Sequence, residues 1–447
     1  MRKNSFAFCG GAYGDEGKGR IVDEFVTTYG KKGFVVVYRD NGGANAGHTV
    51  ELANGKRVAF HQLPSGIFNK AIVILGKGMV IHPGDLLEEI ASVKKITKTE
   101  MPTIMIDEMA TASLDTHRAF EAALKQWQTG GKGATGRGIA PAYADILLRH
   151  PIRMRDIVSK NVDVLMKHYK LYTALLSGLG SDLSSMPVPT INGTMIPVGS
   201  KVAFIERTCE QGKKLKKYVQ DITAFVEKSW KNPRYAYIFE KAQAIGLDVR
   251  WGVYPDVTAS DTTFDGIHAA SEGTIDPMDI SVRAAVIKAT YMSSVGTRIL
   301  PTTMEETLAG RIREDAFEYG ATTKRPRGIA YLDIPALSYF ARVGKINRLV
   351  LTHMDIVYPD TAIKICIGYT KNGKAVSYRP DQEYLLTVKP IYREFEPWDK
   401  KEIQHAKQFT DIPKEAKRYI SFLEKAIGIK VLLFTTGPRR NQTITRT

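Results

Sequence analysis

Residues 10 to 20 read Gly-Gly-Ala-Tyr-Gly-Asp-Glu-Gly-Lys-Gly-Arg, between the apolar run Phe6–Cys9 and the segment Ile21–Phe25. This pattern predicts a strand, a glycine-rich turn and a helix start. Backbone N–H groups and the helix dipole at such a place can hold phosphate. A regular phosphate loop reads G-x-x-x-x-G-K-[ST]. Counting back from Gly17-Lys18 puts Ala12 at the first glycine, and Gly19 stands where the hydroxyl residue for Mg²⁺ belongs. Asp15 is the hard oxygen that can take over that ion. The competing reading is a tight turn carrying a surface Asp-Glu pair.

Further segments share this character. Residues 41–49 (NGGANAGHT) combine glycines that permit close backbone approach with Asn45 and with His48, which can titrate near neutrality. Residues 130–145 (GGKGATGRGIAPAYAD) have the look of an anion site. Residues 318–328 pair threonine hydroxyls with Arg325 and Arg327, whose forks match carboxylate or phosphate. Residues 351–355 end an apolar run with Asp355, a carboxylate able to accept two N–H bonds from a guanine edge, and Thr435–Arg440 closes another such run. Together they describe a cleft for several anionic ligands, a nucleotide among them.

The elements that must position these groups are legible as continuous apolar runs at Gly33–Tyr38, Ala71–Gly76, Leu349–Thr352 and Val431–Phe434, the pattern of buried parallel strands. Helical periodicity covers Pro83–Lys95, Thr116–Gln128, Val219–Trp230 and Lys414–Ala426, the last followed by Gly428 as a stop. The expected fold is α/β, a large mostly parallel central sheet flanked by helices, with helical insertions. Its ligand loops lie at strand ends. Residues 150–235 form a lysine-rich, mostly helical insert interrupted by polar residues 178–199. No linker divides the chain, so residues 1–447 are expected to be a single catalytic domain.

Composition narrows the class. The chain is 43% hydrophobic and 25% charged, as globular proteins are. It has no apolar run of membrane-spanning length and no signal-peptide pattern at its N-terminus. Cys9, Cys209 and Cys366 match neither a metal nor a disulfide framework, and are expected as small buried apolar residues in a reducing cytoplasm. The formal charge of +16 suits polyanionic ligands around a cleft. Its densest stretch, Lys213–Lys217, is accounted for by a solvated helix face, so neither nucleic acid nor membrane is an expected partner.

The segments GDEGKG (14–19), NAGHT (45–49), LPSGI (63–67), GATGRGIAPAY (133–143), YPDVTASDTT (254–263), YGATTKRPRG (319–328) and TTGP (435–438), in this order, resemble the adenylosuccinate synthetase family from about Ala7 to Pro438. The resemblance implies a cytoplasmic ligase of AMP synthesis that joins IMP and L-aspartate, using GTP and Mg²⁺, through a 6-phosphoryl-IMP intermediate. It implies Asp15 as the base at N1 and His48 as the acid at O6, with Lys18 and Gln243 completing the catalytic group. IMP contacts would come from Asp15, Glu16, Gly17, Lys18, Asn45, Ala46, Gly47, His48, Thr135, Gln243, Thr258 and Arg325. Arg149 would reach the neighbouring site of a homodimer. Aspartate would meet Ala321, Thr322, Thr323, Lys324, Arg325 and Arg327. GTP would meet residues Gly14, Asp15, Glu16, Gly17, Lys18, Gly19 and Arg20, then Arg327, His353, Met354, Asp355, Thr435, Thr436 and Gly437. Mg²⁺ would be held by Asp15 and the Gly47 carbonyl.

Several positions depart from the family pattern. Ala12-Tyr13 replaces Gln-Trp, Lys241 and Ala244 replace glycines, His353 replaces the lysine that stacks on guanine, and Lys324 and Pro326 replace a glycine and an arginine. Two rival readings remain: a phage-type enzyme acting on dGMP, in which a smaller hydroxyl residue replaces the base, and a GTP-binding switch without ligase activity. Asp15 favours IMP over the first. His48, Gln243 and the arginine-rich loop have no use in the second.

Overall fold

The structure is a computed structural model that describes residues 2–51, 57–97, 101–127, 135–296, 298–320, 326–439 and 441–446. Its centre is a ten-stranded sheet. We number its strands in chain order: β1 Arg2–Gly10, β2 Phe34–Arg39, β3 Ile72–Leu75, β4 Thr103–Asp107, β5 Val219–Gln220, β6 Tyr235–Ala244, β7 Ile280–Lys288, β8 Arg348–Thr352, β9 Val431–Thr435 and β10 Thr443–Thr445. The spatial order is β5-β4-β3-β2-β6-β1-β7-β8-β9-β10. Every neighbouring pair is parallel except β9 with β10. The expected mostly parallel α/β architecture is therefore what the chain adopts.

Burial explains why the strands read as unbroken apolar runs. Along β1, Ala7 and Cys9 enter one hydrophobic cluster while Phe6 and Phe8 enter another on the opposite face. The helix Lys18–Gly30 covers the second face with Ile21, Val22 and Val26. Helices Ile334–Val343 and Lys414–Ile427 cover the first with Leu337, Phe340, Tyr419, Ile420 and Leu423. Gly428 ends the latter helix with φ 78°, the left-handed stop its position predicts. A smaller sheet of five strands (Tyr291–Ser294, Gly328–Asp333, Ile363–Lys371, Lys374–Val376 and Lys389–Phe395) abuts it.

Residues 150–235 hold helices Met154–Val158, Val162–Gly178, Lys201–Leu215 and Thr223–Lys231. Two differences from the expectation appear. The polar stretch contains a hairpin, Pro187–Pro189 with Met195–Pro197, turning at Gly193 with φ 83°. The periodicity from Val219 to Trp230 splits: Val219 and Gln220 pair with β4, and the helix begins at Thr223, because the Asp221 carboxylate accepts the Thr223 N–H at 2.8 Å and turns the chain there. This region shares one core with the sheet edge, where Leu165, Tyr172, Leu176 and Phe204 join Val73, Leu75, Ile104 and Ile106. Cys9 and Cys366 are buried free thiols as expected, whereas Cys209 is only half-buried. No helix among the described residues is long and apolar enough to cross a membrane.

Candidate functional site

Because the strands run parallel, the loops that follow β1, β2, β6, β8 and β9 leave from the same edge of the sheet. The first of them is a tight turn. Gly14, Asp15 and Gly17 all have positive φ (98°, 62° and 87°), and Asp is among the few non-glycine residues that tolerate it. A Cβ on Gly10 would lie 2.3 Å from Glu16 Oε2, so glycine is required there. Asp15 and Glu16 then part company. Glu16 is 2% exposed: its Oε1 accepts the N–H groups of Gly14 (2.7 Å) and Ala12 (3.3 Å), and its Oε2 pairs with Lys18 Nζ at 3.0 Å. The turn's own carboxylate thus occupies donors that face inward. Asp15 faces out, with 42% of its side chain open, and its Oδ2 accepts from Arg327 Nη2 (2.8 Å) and Nε (3.1 Å). Burial alone would raise the Asp15 pKa, but Arg327, Lys288 and Lys18 outweigh it and hold the carboxyl below its ordinary value. Asp15 Oδ1 makes no hydrogen bond among the described residues.

The loop after β2 leaves the same edge of the sheet, with β6 between its strand and β1. A Cβ on Gly43 would lie 2.3 Å from the Val80 carbonyl, and Gly42 has φ 79°. Asn45 keeps a buried Oδ1 with no partner among the described residues, Ala46 is buried and Gly47 is exposed. The backbone of His48 opens a short strand, His48–Glu51, paired with Arg57–Phe60; its side chain lies outside the described set. At the end of β6, Gln243 has φ 59°; its Oε1 accepts from Ser260 Oγ at 3.3 Å and its Nε2 is buried without a partner among the described residues. Thr258 is half-buried and tied by its N–H to the Leu247 carbonyl at 2.7 Å.

The loops after β8 and β9 are laced together differently. The His353 N–H donates to Thr435 Oγ1 (3.2 Å) and the Met354 N–H to the Thr435 carbonyl (3.1 Å). Met354 is fully buried under Trp398, whose Nε1 donates to the Met354 carbonyl at 2.8 Å. His353 sits edge-on to Tyr291 at 6.0 Å, and burial, then Lys288, lowers its pKa below the ordinary histidine value. Asp355 is 8% exposed and accepts from Gln404 Nε2 at 3.3 Å. Thr436 Oγ1 is buried without a partner, and Gly437 packs on Gln442, which would lie 2.5 Å from a Cβ there. Arg20 spans from the first loop to this one through the carbonyls of Gly437, Arg439 and Gln442.

The remaining expected residues scatter. Thr135 is exposed at the edge of the described residues. Arg149 is exposed with φ 66°, just past helix Ile139–Leu147, and its side chain makes no hydrogen bond or ion pair among the described residues. Arg137, from the 130–145 loop that looked like an anion site, is instead buried, donating to the Thr190 carbonyl at 2.7 Å. Ala321, Thr322, Thr323, Lys324 and Arg325 lie outside the described residues. His117, Asp145 and His168 bring potential ligand atoms within 4.8 Å of one another, and hydrogen bonds tie them to their surroundings. His117 Nδ1 accepts the Leu114 N–H at 2.8 Å, so its Nε2 carries the proton and donates to Asp145 at 2.9 Å. Sequence reasoning missed the inward role of Glu16 and the pairs Asp40–Lys241 and Lys288–Glu318. Their signal was a charged residue inside an otherwise apolar strand or at its end.

Phosphate-type and base-type loops on one edge of a parallel sheet define an α/β enzyme that handles a nucleotide. The adenylosuccinate synthetase family model matches residues 7–444. The adenylosuccinate synthetase of Acetivibrio thermocellus is 34% identical, over 97% of this chain and 98% of the relative. A solved structure of the fully ligated adenylosuccinate synthetase of Plasmodium falciparum superposes with TM-score 0.84 at 30% identity, covering 99% of this chain and 100% of that one. A cyanophage S-2L succinoaminodeoxyadenylate synthetase shares the fold, with TM-score 0.60 at 18% identity over 100% of this chain and 96% of that one. The chain belongs to the adenylosuccinate synthetase family, ligases of AMP biosynthesis that join IMP and L-aspartate in a GTP-dependent reaction.

Proposed function

We propose that this chain performs the family reaction with Asp15 and His48 as its proton-handling pair. The observation that carries this reading is the outward Asp15 carboxylate, held in a left-handed turn at the end of β1 with one oxygen on Arg327 and the other without a partner among the described residues. Asp15 takes the N1 proton of IMP, which makes O6 a nucleophile. O6 attacks the γ-phosphorus of GTP, the bond to the bridging oxygen breaks, and GDP leaves. His48 hydrogen-bonds O6 and the transferring group. The aspartate amine then attacks C6 of 6-phosphoryl-IMP, the C6–O6 bond breaks, and phosphate leaves with O6 and takes up the proton that the amine loses. Positioned proton transfer of this kind contributes about 10²–10⁴-fold.

The other roles are carried over from the family resemblance. Gln243 Nε2 and Asn45 Oδ1, buried without partners among the described residues, suit the purine nucleotide, and Glu16, Gly17, Lys18, Ala46, Thr135 and Thr258 would add the family's further contacts to it. Arg327 is placed to pass from Asp15 to anionic ligand oxygens, and Ala321–Arg325 would hold aspartate. Gly14–Arg20, His353–Asp355 and Thr435–Gly437 would hold GTP, with Asp355 reading guanine. The donor set fits Mg²⁺: Asp15 Oδ1 and the exposed Gly47 carbonyl are hard oxygens, and the ion would neutralise phosphoryl charge. Arg149, exposed and unengaged, would complete the site of a second copy in a homodimer. We read residues 1–447 as one catalytic domain with 150–235 as a helical subdomain, on the strength of their shared core, and the protein as cytoplasmic. The test is turnover with IMP against dGMP, each with aspartate and GTP or ATP. Adenylosuccinate from IMP and GTP is the expected product; turnover with dGMP alone would overturn the reading.

A further inference from the structure

Two residues beyond the paired parts of β2 and β6, where the ladder ends at Tyr38 opposite Phe239, stands a charged pair in the core. The Asp40 carboxylate accepts from Lys241 Nζ, and both side chains are 0% exposed. Space around them is closed: a Cβ on Gly266 would lie 3.0 Å from Asp40 Oδ2 and 3.1 Å from Lys241 Nζ. The next residues continue the lacing. Asn41 Oδ1 accepts the Ala242 N–H at 2.9 Å, Asn41 Nδ2 donates to Ser260 Oγ at 3.2 Å, and Ser260 Oγ donates to Gln243 Oε1 at 3.3 Å. Gly42 follows, close enough that its Cβ would lie 2.5 Å from that of Ala242. The chain of contacts therefore runs from the buried pair to the carboxamide whose Nε2 has no protein partner.

A buried ion pair is a poor way to gain stability, because desolvation offsets most of its attraction; its best-attested use is to fix register. Two apolar side chains would hold these strand ends together without setting their axial offset. We propose that Asp40 and Lys241 are a positioning pair, which sets the Gln243 carboxamide against the loop 41–47 for the reaction. This rests on the reading of Gln243 as a contact to the purine nucleotide.

Lys241→Met alone strands a buried carboxylate and is expected to destabilise the fold. The informative variant is Asp40→Asn combined with Lys241→Met, which removes both charges at similar volume. Thermal unfolding should show a cooperative fold. Its kcat should fall about 10²-fold, the scale of a misplaced reacting group, with the GTP KM unchanged. Adding Gln243→Ala should cause no further loss, since the pair acts through that residue. Wild-type kcat and IMP KM in the folded double variant, or losses that add in full to those of Gln243→Ala, would overturn the proposal while leaving the role of Gln243 intact. Wild-type turnover in Gln243→Ala itself would overturn both.

Discussion

The two halves of the sheet edge are built from different materials. The half formed by β2, β6 and β1 is charged: Glu16 grips Lys18, Asp40 grips Lys241, and Asp15 holds Arg327 at the surface. The half formed by β8 and β9 is held by backbone hydrogen bonds, threonine hydroxyls and a buried methionine under a tryptophan. On the proposed mechanism the first half places the groups that move protons and meet developing charge, where a shift of an ångström is costly. The second need only present a shaped, neutral slot with one carboxylate, Asp355. Within the first half, Asp15 and Glu16 repeat the division in miniature. One acid of the pair completes the turn from inside, and this leaves the other free for chemistry.

Breaking the charged half should have the larger effects. Asp15→Asn removes the proposed N1 base while keeping the side chain's shape. The expected loss in kcat is about 10²–10⁴-fold, with GTP binding retained in a direct titration. A variant with wild-type kcat would remove Asp15 from the mechanism. Glu16→Gln should act on stability first, because it leaves the Lys18 ammonium buried without its partner. Breaking such a pair costs about 3 kcal/mol, read as a lower denaturation midpoint. An unchanged midpoint would mean that the neutral amide fills the turn equally well.

How much of this was legible in sequence differs between the halves in the same way. The parallel sheet could be read because β2, β3, β8 and β9 are buried on both faces, which leaves continuous apolar runs. Asp15 stood out because it interrupts a phosphate-loop pattern. Glu16 did not, since adjacent acids look alike until the backbone turn sends them to opposite sides. Lys241 was visible as a departure from the family pattern, but its partner Asp40 lies 201 residues away, and pairing over that distance depends on strand order. The 219–230 segment misled because helical period does not reveal the Asp221 turn or the sheet edge waiting for Val219 and Gln220.

Smaller effects should mark the neutral half. Asp355→Ala removes the proposed charged acceptor for the guanine edge. Hydrogen bonds to charged groups contribute about 1.5–3 kcal/mol, so the GTP KM should rise roughly 10- to 100-fold while the KM values for IMP and aspartate hold. A uniform rise in all three would point to a collapsed loop instead. Gln404→Leu removes only the amide that orients Asp355 at 3.3 Å. A neutral hydrogen bond contributes about 0.5–1.5 kcal/mol, which predicts a GTP KM raised by less than that of Asp355→Ala and a weaker preference for GTP over ITP.

The smallest expected effect is a flat line, and it separates the halves most cleanly. His353 stands at the mouth of the neutral half, facing Lys288, Glu318, Asp355 and Asp15. Burial and the Lys288 ammonium disfavour its protonation more than the three carboxylates favour it, so its pKa lies below the ordinary histidine value. The sign follows directly: the neutral ring predominates above its lowered pKa, and only acidification through that pKa adds a proton. Between about pH 6.5 and 8.5, the range starting at the unperturbed histidine value, the GTP KM should therefore not titrate through this residue. Wild type and His353→Asn should give parallel profiles over that window. A midpoint near neutrality that disappears in His353→Asn would show a charged ring at the nucleotide, and the contrast between a charged and a neutral half of the sheet edge would fail at that residue.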